Sequence, residues 1–181
     1  MLVVPWSDPT GKLAWVDLRA NPYDFDSIPE ALQYPALLQA LRALNATRSP
    51  VFTAKCDVWA IVAEELDGLR LELDVDEADS HSGIGSYIDL IWRDKGLFAS
   101  AAQQQQWIRR LLRPISAIEH PVAAVECVLR PALLDLDLPQ EGFAVSLYVK
   151  AVGSDYESAR KSWTAALADV VALIRSRELA R

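Results

Sequence analysis

The chain has 181 residues, 51% of them hydrophobic and 24% charged, and it carries a formal net charge of −7. These proportions are typical of a globular protein, and the length predicts one domain that spans residues 1–181. The excess of acid argues against nucleic acid and against an anionic membrane surface as partners, because both attract clustered Lys and Arg. It is compatible with a protein partner.

Targeting and redox signals are the next features to consider. The N-terminal residues lack the basic start and apolar run of a signal peptide, and no stretch reaches the ~18 apolar residues of a membrane span. The two cysteines, Cys56 and Cys127, lie in apolar alternating stretches, which favours buried and reduced thiols. We therefore expect a cytoplasmic protein.

The N-terminal part of the chain predicts two short strands followed by a helix. Residues 2–6 and 12–19 are expected to pair around an Asp-Pro-Thr-Gly turn. A helix is expected over 27–46, because a Ser-x-x-Glu capping box opens it and leucines follow at helical intervals. Pro35 is expected to kink or restart this helix.

The middle of the chain predicts a three-stranded meander. Residues 51–62 place an apolar side chain at every second position, which indicates a half-buried strand. An Asp-Gly turn dipeptide and a second alternating run at 69–76 follow, and together they predict a hairpin. A third alternating run at 87–93 completes the meander.

The remainder predicts a helix, two strands and a final helix. Residues 96–113 repeat apolar side chains at helical spacing. Residues 123–130 and 143–151 alternate as strands, with a proline-containing loop between them. Ser154 and Glu157 have the spacing of a second capping box, and the apolar stripe after them predicts a long helix.

These predicted elements have the order ββαβββαββα. Amphipathic strands joined by short connections predict an α+β fold with a mainly antiparallel sheet of five to seven strands. Three helices are expected to pack mostly on one face of the sheet. A dinucleotide-binding fold is not expected, because strands and helices do not alternate regularly along the chain.

An acidic stretch followed by a histidine offers oxygen and nitrogen ligands. In the predicted hairpin, Asp74 and Asp76 share one side of a strand, and Asp79 and His81 follow in the next turn. Such a set is able to surround a divalent cation, although its spacing matches no EF-hand. The alternative is the water-facing side of a strand and a polar turn, where carboxylates are common. Asp74, Asp76, Asp79 and His81 are the candidate metal ligands.

The segment 81–86, His-Ser-Gly-Ile-Gly-Ser, is the only glycine motif of interest. It lacks the third glycine and the following helix of a phosphate-binding loop, so we expect a connecting loop whose free amides are able to meet a small ligand. Cys127 and His120 are close in sequence, but the alternation turns Cys127 inward, whereas a nucleophilic thiol needs an open pocket. We therefore expect no catalytic residue and no cofactor.

The water-facing side of the predicted sheet carries aromatic and basic side chains. Trp59, Tyr87 and Tyr148 fall on this side, and Arg93 lies among them. Aromatic residues and Arg are enriched at protein interfaces. The alternative is that a loop or the N-terminal strands cover them. Trp59, Tyr87, Arg93 and Tyr148 are the candidate interface residues.

Two functions of different classes stay open on the sequence. The first is a non-enzymatic protein-binding module of the adaptor, inhibitor or immunity type. It would use the exposed sheet face or an edge strand to meet a protein partner or a second copy of itself. The second is a small-molecule-binding or divalent-metal-binding protein or enzyme, with a site around the acidic hairpin and the His-Ser-Gly loop.

Overall fold

The computed structural model describes residues 1–115 and 121–176, which form an α+β fold of five strands and six helices. The α+β class is as expected, but six helices replace the predicted three. The order is βααβαβααββα: β1 Leu2–Val4, α1 Pro29–Gln33, α2 Pro35–Asn45, β2 Val51–Ala60, α3 Ala63–Leu73, β3 Ser82–Trp92, α4 Lys95–Ala99, α5 Ala101–Ile115, β4 Ala123–Leu134, β5 Gln140–Gly153 and α6 Tyr156–Ile174.

The sheet is mixed, with the strand order β1-β4-β5-β3-β2. The three pairings among β2, β3, β5 and β4 are antiparallel, as the alternating sequence predicts, whereas β1 runs parallel to β4 with Leu2 opposite Ala132. The prediction of a mainly antiparallel sheet missed this parallel edge. A strand of three residues carries too little periodicity to reveal its partner or its direction.

The N-terminal segment connects the two edges of the sheet. Val4 pairs with Leu134 at one edge, and the Trp6 Nε1 donates to the Ala54 carbonyl of β2, at the other edge, over 2.8 Å. Only Pro5 separates Val4 from Trp6 in the chain, so this short segment ties together the two edges of the curled sheet.

Three helices, α2, α5 and α6, form a layer on one face of the sheet. The Asn45 Nδ2 of α2 donates to Thr53 Oγ1 over 2.8 Å, and Trp163 Nε1 of α6 donates to Ser86 Oγ over 2.8 Å. Trp107 of α5 packs edge-on against Trp92 with ring centroids 4.6 Å apart. Because these strand residues share one face by their register, the main core lies between this layer and the sheet.

Helix α3 packs on the opposite face, where the sequence predicts a strand. The run 69–76 alternates apolar and polar side chains, but its first part belongs to α3, in which Leu66 and Leu69 are the buried residues and Leu71 is 86% exposed. The two buried leucines are three residues apart, which is the spacing of one face of a helix and not of a strand. The predicted hairpin partner of β2 is therefore wrong, and β2 pairs with β3 instead.

Several boundaries also differ from the prediction. Residues 12–19 form no strand and contribute only an isolated bridge between Ser7 and Ala14. Segment 81–86, expected to be a loop, lies almost wholly within β3. The first helix restarts at Pro35, as predicted, and the second divides in two at Ser100.

The helix caps differ in a similar way. Ile28, rather than Ser27, precedes α1, and it makes no side-chain capping bond. Asp155 and Ser158, rather than Ser154 and Glu157, form the capping box of α6. None of the helices in the described residues is long and apolar enough to cross a bilayer.

Candidate functional site: an aromatic row on the sheet face

An aromatic row, defined as Trp59, Tyr87 and Tyr148, crosses three strands on the face opposite the helix layer. Tyr87 of β3 lies directly opposite Tyr148 of β5, and their ring centroids are 5.9 Å apart. Trp59 of β2 extends the row, with its ring centroid 6.4 Å from that of Tyr87. All three side chains are half-buried. The alternation of the strands thus brings together three of the four predicted interface residues.

Gly85 supports the row from below. Trp59 lies opposite Gly85 in the register, and a Cβ added at Gly85 would lie 2.7 Å from the indole ring. That separation is well inside van der Waals contact, so the ring rests directly on the backbone of β3. The second glycine of the His-Ser-Gly-Ile-Gly-Ser segment therefore provides space for an indole rather than a loop for a ligand.

Charged side chains of both signs border the row. Arg130 of β4 donates to the Tyr148 hydroxyl, and its guanidinium carbon lies 5.8 Å from the Tyr148 ring centroid. Glu126 lies opposite Tyr148 in the register, and Asp57 lies opposite Tyr87. A patch of aromatic rings with charged residues at its margin has the composition of a protein interface.

Asp89 is a buried carboxylate beside the row, and it was not among the predicted site residues. It shares the face of Tyr87 and accepts a hydrogen bond from Ser146 Oγ, the residue opposite it on β5. Burial raises the pKa of Asp89, and the Ser146 hydrogen bond and the positive charges of Arg130 and Lys55 offset only part of that rise. The apolar neighbours Ile88 and Leu90 were the available signal.

The hydroxyl of Tyr87 stays protonated at neutral pH. Burial, and then the negative charges of Asp89 and Asp57, raise the pKa of Tyr87 to about 12. Tyr87 therefore presents a hydroxyl that is able to donate as well as accept. It offers neither a phenolate nucleophile nor a phenolate metal ligand at neutral pH.

Arg93 lies apart from the row, at the far end of β3. Its Nε donates to the Val51 carbonyl over 3.1 Å and its Nη2 to the Asn45 carbonyl over 2.9 Å. The guanidinium thus joins the ends of α2 and β2 to the end of β3. It belongs to a different surface from Trp59, Tyr87 and Tyr148.

The candidate metal ligands are spread along α3 and the turn after it. Asp74 ends α3 with a left-handed φ of 54°, Asp76 precedes a short 3-10 turn at Glu77–Asp79, and His81 follows that turn. The shared strand face on which the metal hypothesis rested does not exist. Within residues 1–115 and 121–176 no group of three or more His, Cys, Asp or Glu is arranged to hold a metal ion.

Both cysteines are free thiols in partly buried positions. Burial is the main cause that raises the pKa of Cys56 and of Cys127 to about 12 in each case. A thiol with so high a pKa is a poor nucleophile at neutral pH. His120, the sequence neighbour weighed as a base for Cys127, lies outside the described residues.

Comparison with known proteins identified no relative of this chain. No protein-family model, no curated protein and no solved structure matches the chain. The functional argument therefore rests on the geometry of the site.

Proposed function

We propose that the chain is a non-enzymatic protein-binding module that docks a partner on the aromatic row. The observation that carries this proposal is a continuous set of three half-buried rings on the sheet face opposite α2, α5 and α6, beside the α3 cluster against which Trp59 packs. Rigid aromatic side chains bury a large area at little entropic cost, and such residues dominate the binding energy of interfaces.

The sheet face is a better docking surface than the outer edge of β2. Backbone groups along that edge already have hydrogen-bond partners. The indoles of Trp6 and Trp15 donate to the carbonyls of Ala54 and Thr53, respectively. The Asp57 carboxylate accepts from the Val58 amide. A partner strand would have to displace these bonds. The row requires no such displacement.

The proposal also includes the setting in which the module works. The net charge of −7 favours a protein partner over nucleic acid. A cytoplasmic location, where thiols are kept reduced, suits two cysteines that are both free.

The test is quantitative affinity purification from the source cells with the wild type and two tyrosine variants as baits. Tyr148→Ala removes a ring of the row, and Tyr23→Ala removes an exposed tyrosine elsewhere (82% exposed) as the matched control. We expect one partner to be retained by the wild type and by Tyr23→Ala but lost with Tyr148→Ala. With purified partner, titration calorimetry should give a loss of about 30-fold, typical of a hot spot of ~2 kcal/mol.

Two further measurements make the outcome decisive. Near-UV circular dichroism shows whether Tyr148→Ala keeps its fold, so that lost binding reports the surface. Analytical ultracentrifugation shows whether the partner is a second copy of the chain. If a folded Tyr148→Ala protein retains every partner at wild-type levels, the row is not the docking surface.

A further inference from the structure

A cavity of about 250 Å³ lies at the end of the sheet where β2 begins and β3 ends, away from the aromatic row. Its wall is apolar where Phe52, Trp92 and Phe98 line it, and leucines of the β4–β5 connection continue that wall. Arg93 and Lys95 contribute cationic groups to the lining, and Arg19 contributes a third. A ligand in this cavity would meet both an apolar surface and positive charge.

The cations of this cavity exceed the carboxylates that face them. Arg19 is neutralised by Asp17 through two hydrogen bonds of 2.8 Å, and both guanidinium carbons, of Arg19 and Arg93, lie within 6 Å of the Phe52 ring centroid. Within the described residues neither Arg93 nor Lys95 makes an ion pair. Asp137 is the only carboxylate in the lining. The cavity thus has a surplus of one positive charge in an acidic protein.

Among the described residues, the lining contains one donor without an acceptor and one guanidinium without a carboxylate partner. The Trp92 indole is 4% exposed, and within the described residues its Nε1 has no hydrogen-bond acceptor. The Trp107 ring that packs against it is a weak acceptor only. Arg93 bonds two backbone carbonyls, which orient the guanidinium but bring no negative charge, and burial and the charge of Arg19 lower its pKa. A bound anion would bring negative charge to the Arg93 guanidinium.

We propose that this cavity binds a small organic monoanion, a carboxylate that carries an apolar chain or ring. The carboxylate faces Arg93 and Lys95, and the apolar part packs on Phe52, Trp92 and Phe98. One negative charge balances the surplus of one positive charge. The volume suits a ligand smaller than a drug-sized molecule.

Titration calorimetry with octanoate tests the proposal, with octanamide and inorganic phosphate as comparison ligands. We expect saturable binding of one octanoate per chain, no binding of the neutral amide, and no binding of phosphate, which lacks the apolar part. Added salt should weaken octanoate binding because it screens the charges.

Three surface variants keep the test independent of folding. Lys95→Gln should weaken octanoate binding by about threefold to tenfold, and Asp137→Asn should strengthen it, since it removes the opposing carboxylate. Lys161→Gln makes the same charge change on an exposed part of α6 and should bind as the wild type does. The proposal is overturned if octanoate does not bind, if octanamide or phosphate binds as well as octanoate, or if Lys95→Gln and Asp137→Asn bind as the wild type does.

Discussion

Gly85 lies beneath the Trp59 indole, and the ring occupies the space that a larger side chain would need. We expect Gly85→Ala to lower the free energy of unfolding by about 1–3 kcal/mol, because the added methyl group forces the indole off the sheet. Urea denaturation followed by tryptophan fluorescence measures both the stability and the displaced ring.

Gly68 provides the matched control with the opposite sign. It is exposed within α3, and a Cβ there would meet nothing within 4 Å. Gly68→Ala should therefore raise the free energy of unfolding by about 0.5–1 kcal/mol, the usual gain from replacing a helical glycine. Equal effects of the two substitutions would contradict the close contact between Gly85 and Trp59.

Asp89 makes stability depend on pH. Its pKa is raised in the folded state, so the folded chain holds this proton more tightly than the unfolded chain. The proton's contribution to stability is complete below the unfolded-state pKa of about 3.9 and is lost as the pH rises through the folded-state pKa. Asp89→Asn, which stays neutral and still accepts from Ser146, should gain stability relative to the wild type over that interval. Urea denaturation at a series of pH values measures the difference in the free energy of unfolding between the two proteins. A difference that does not change with pH would mean that the pKa of Asp89 is not raised by folding.

At the scale of elements, α6 depends on the cap at its first turn. The Asp155 carboxylate accepts from the Ser158 amide over 2.7 Å, and the Ser158 hydroxyl accepts in return from the Asp155 amide over 3.2 Å. Asp155→Ala should cost about 1 kcal/mol of stability by chemical denaturation. Ser154→Ala, at the position that the sequence favoured as the cap, should change stability by less than about 0.5 kcal/mol. If Ser154→Ala lowered the free energy of unfolding more than Asp155→Ala does, Ser154 and not Asp155 would be the N-cap of α6.

The strands of the central sheet could be predicted because their alternation is long. Residues 51–62, 123–130 and 143–151 cover most of β2, β4 and β5. The alternation breaks only in β2, where the pairing with β3 shifts register between Thr53 and Cys56. The same reasoning failed at 69–76, where alternating leucines occur in a helix that buries only one side. A short run fits both periods, and packing against the sheet decides between them.

The candidate site could be predicted in part for the same reason. Trp59, Tyr87 and Tyr148 follow from alternation, but their meeting depends on β3 lying between β2 and β5, which no local pattern encodes. Asp89 was missed because burial is a property of the assembled sheet. The shared strand face predicted for Asp74 and Asp76 was wrong, because Asp74 ends a helix and Asp76 precedes a 3-10 turn.

At the scale of the whole molecule, the N-terminal segment holds the curled sheet together. Trp6 contributes a hydrogen bond to β2, and its ring lies 4.6 Å from the Lys55 Nζ. Trp6→Phe keeps an aromatic ring and removes the donor, so it should lower the free energy of unfolding by about 0.5–1.5 kcal/mol.

Hydrogen exchange locates this effect. Amide protection in β2 should fall in Trp6→Phe more than protection in β5, which lies inside the sheet. Tyr23→Phe, a hydroxyl deletion at an exposed aromatic residue, should leave both unchanged. A uniform loss of protection across the sheet would mean that Trp6 does not act through β2.

The parallel pairing of β1 with β4 also has a consequence for synthesis on the ribosome. Leu2 is made long before its partner Ala132, which is synthesised only after β2, β3 and the helices between them. Until then β1 has no strand to join, because the sheet edge that it will occupy does not exist. Folding therefore completes this edge by a contact between residues made far apart in time, and such non-local contacts form slowly.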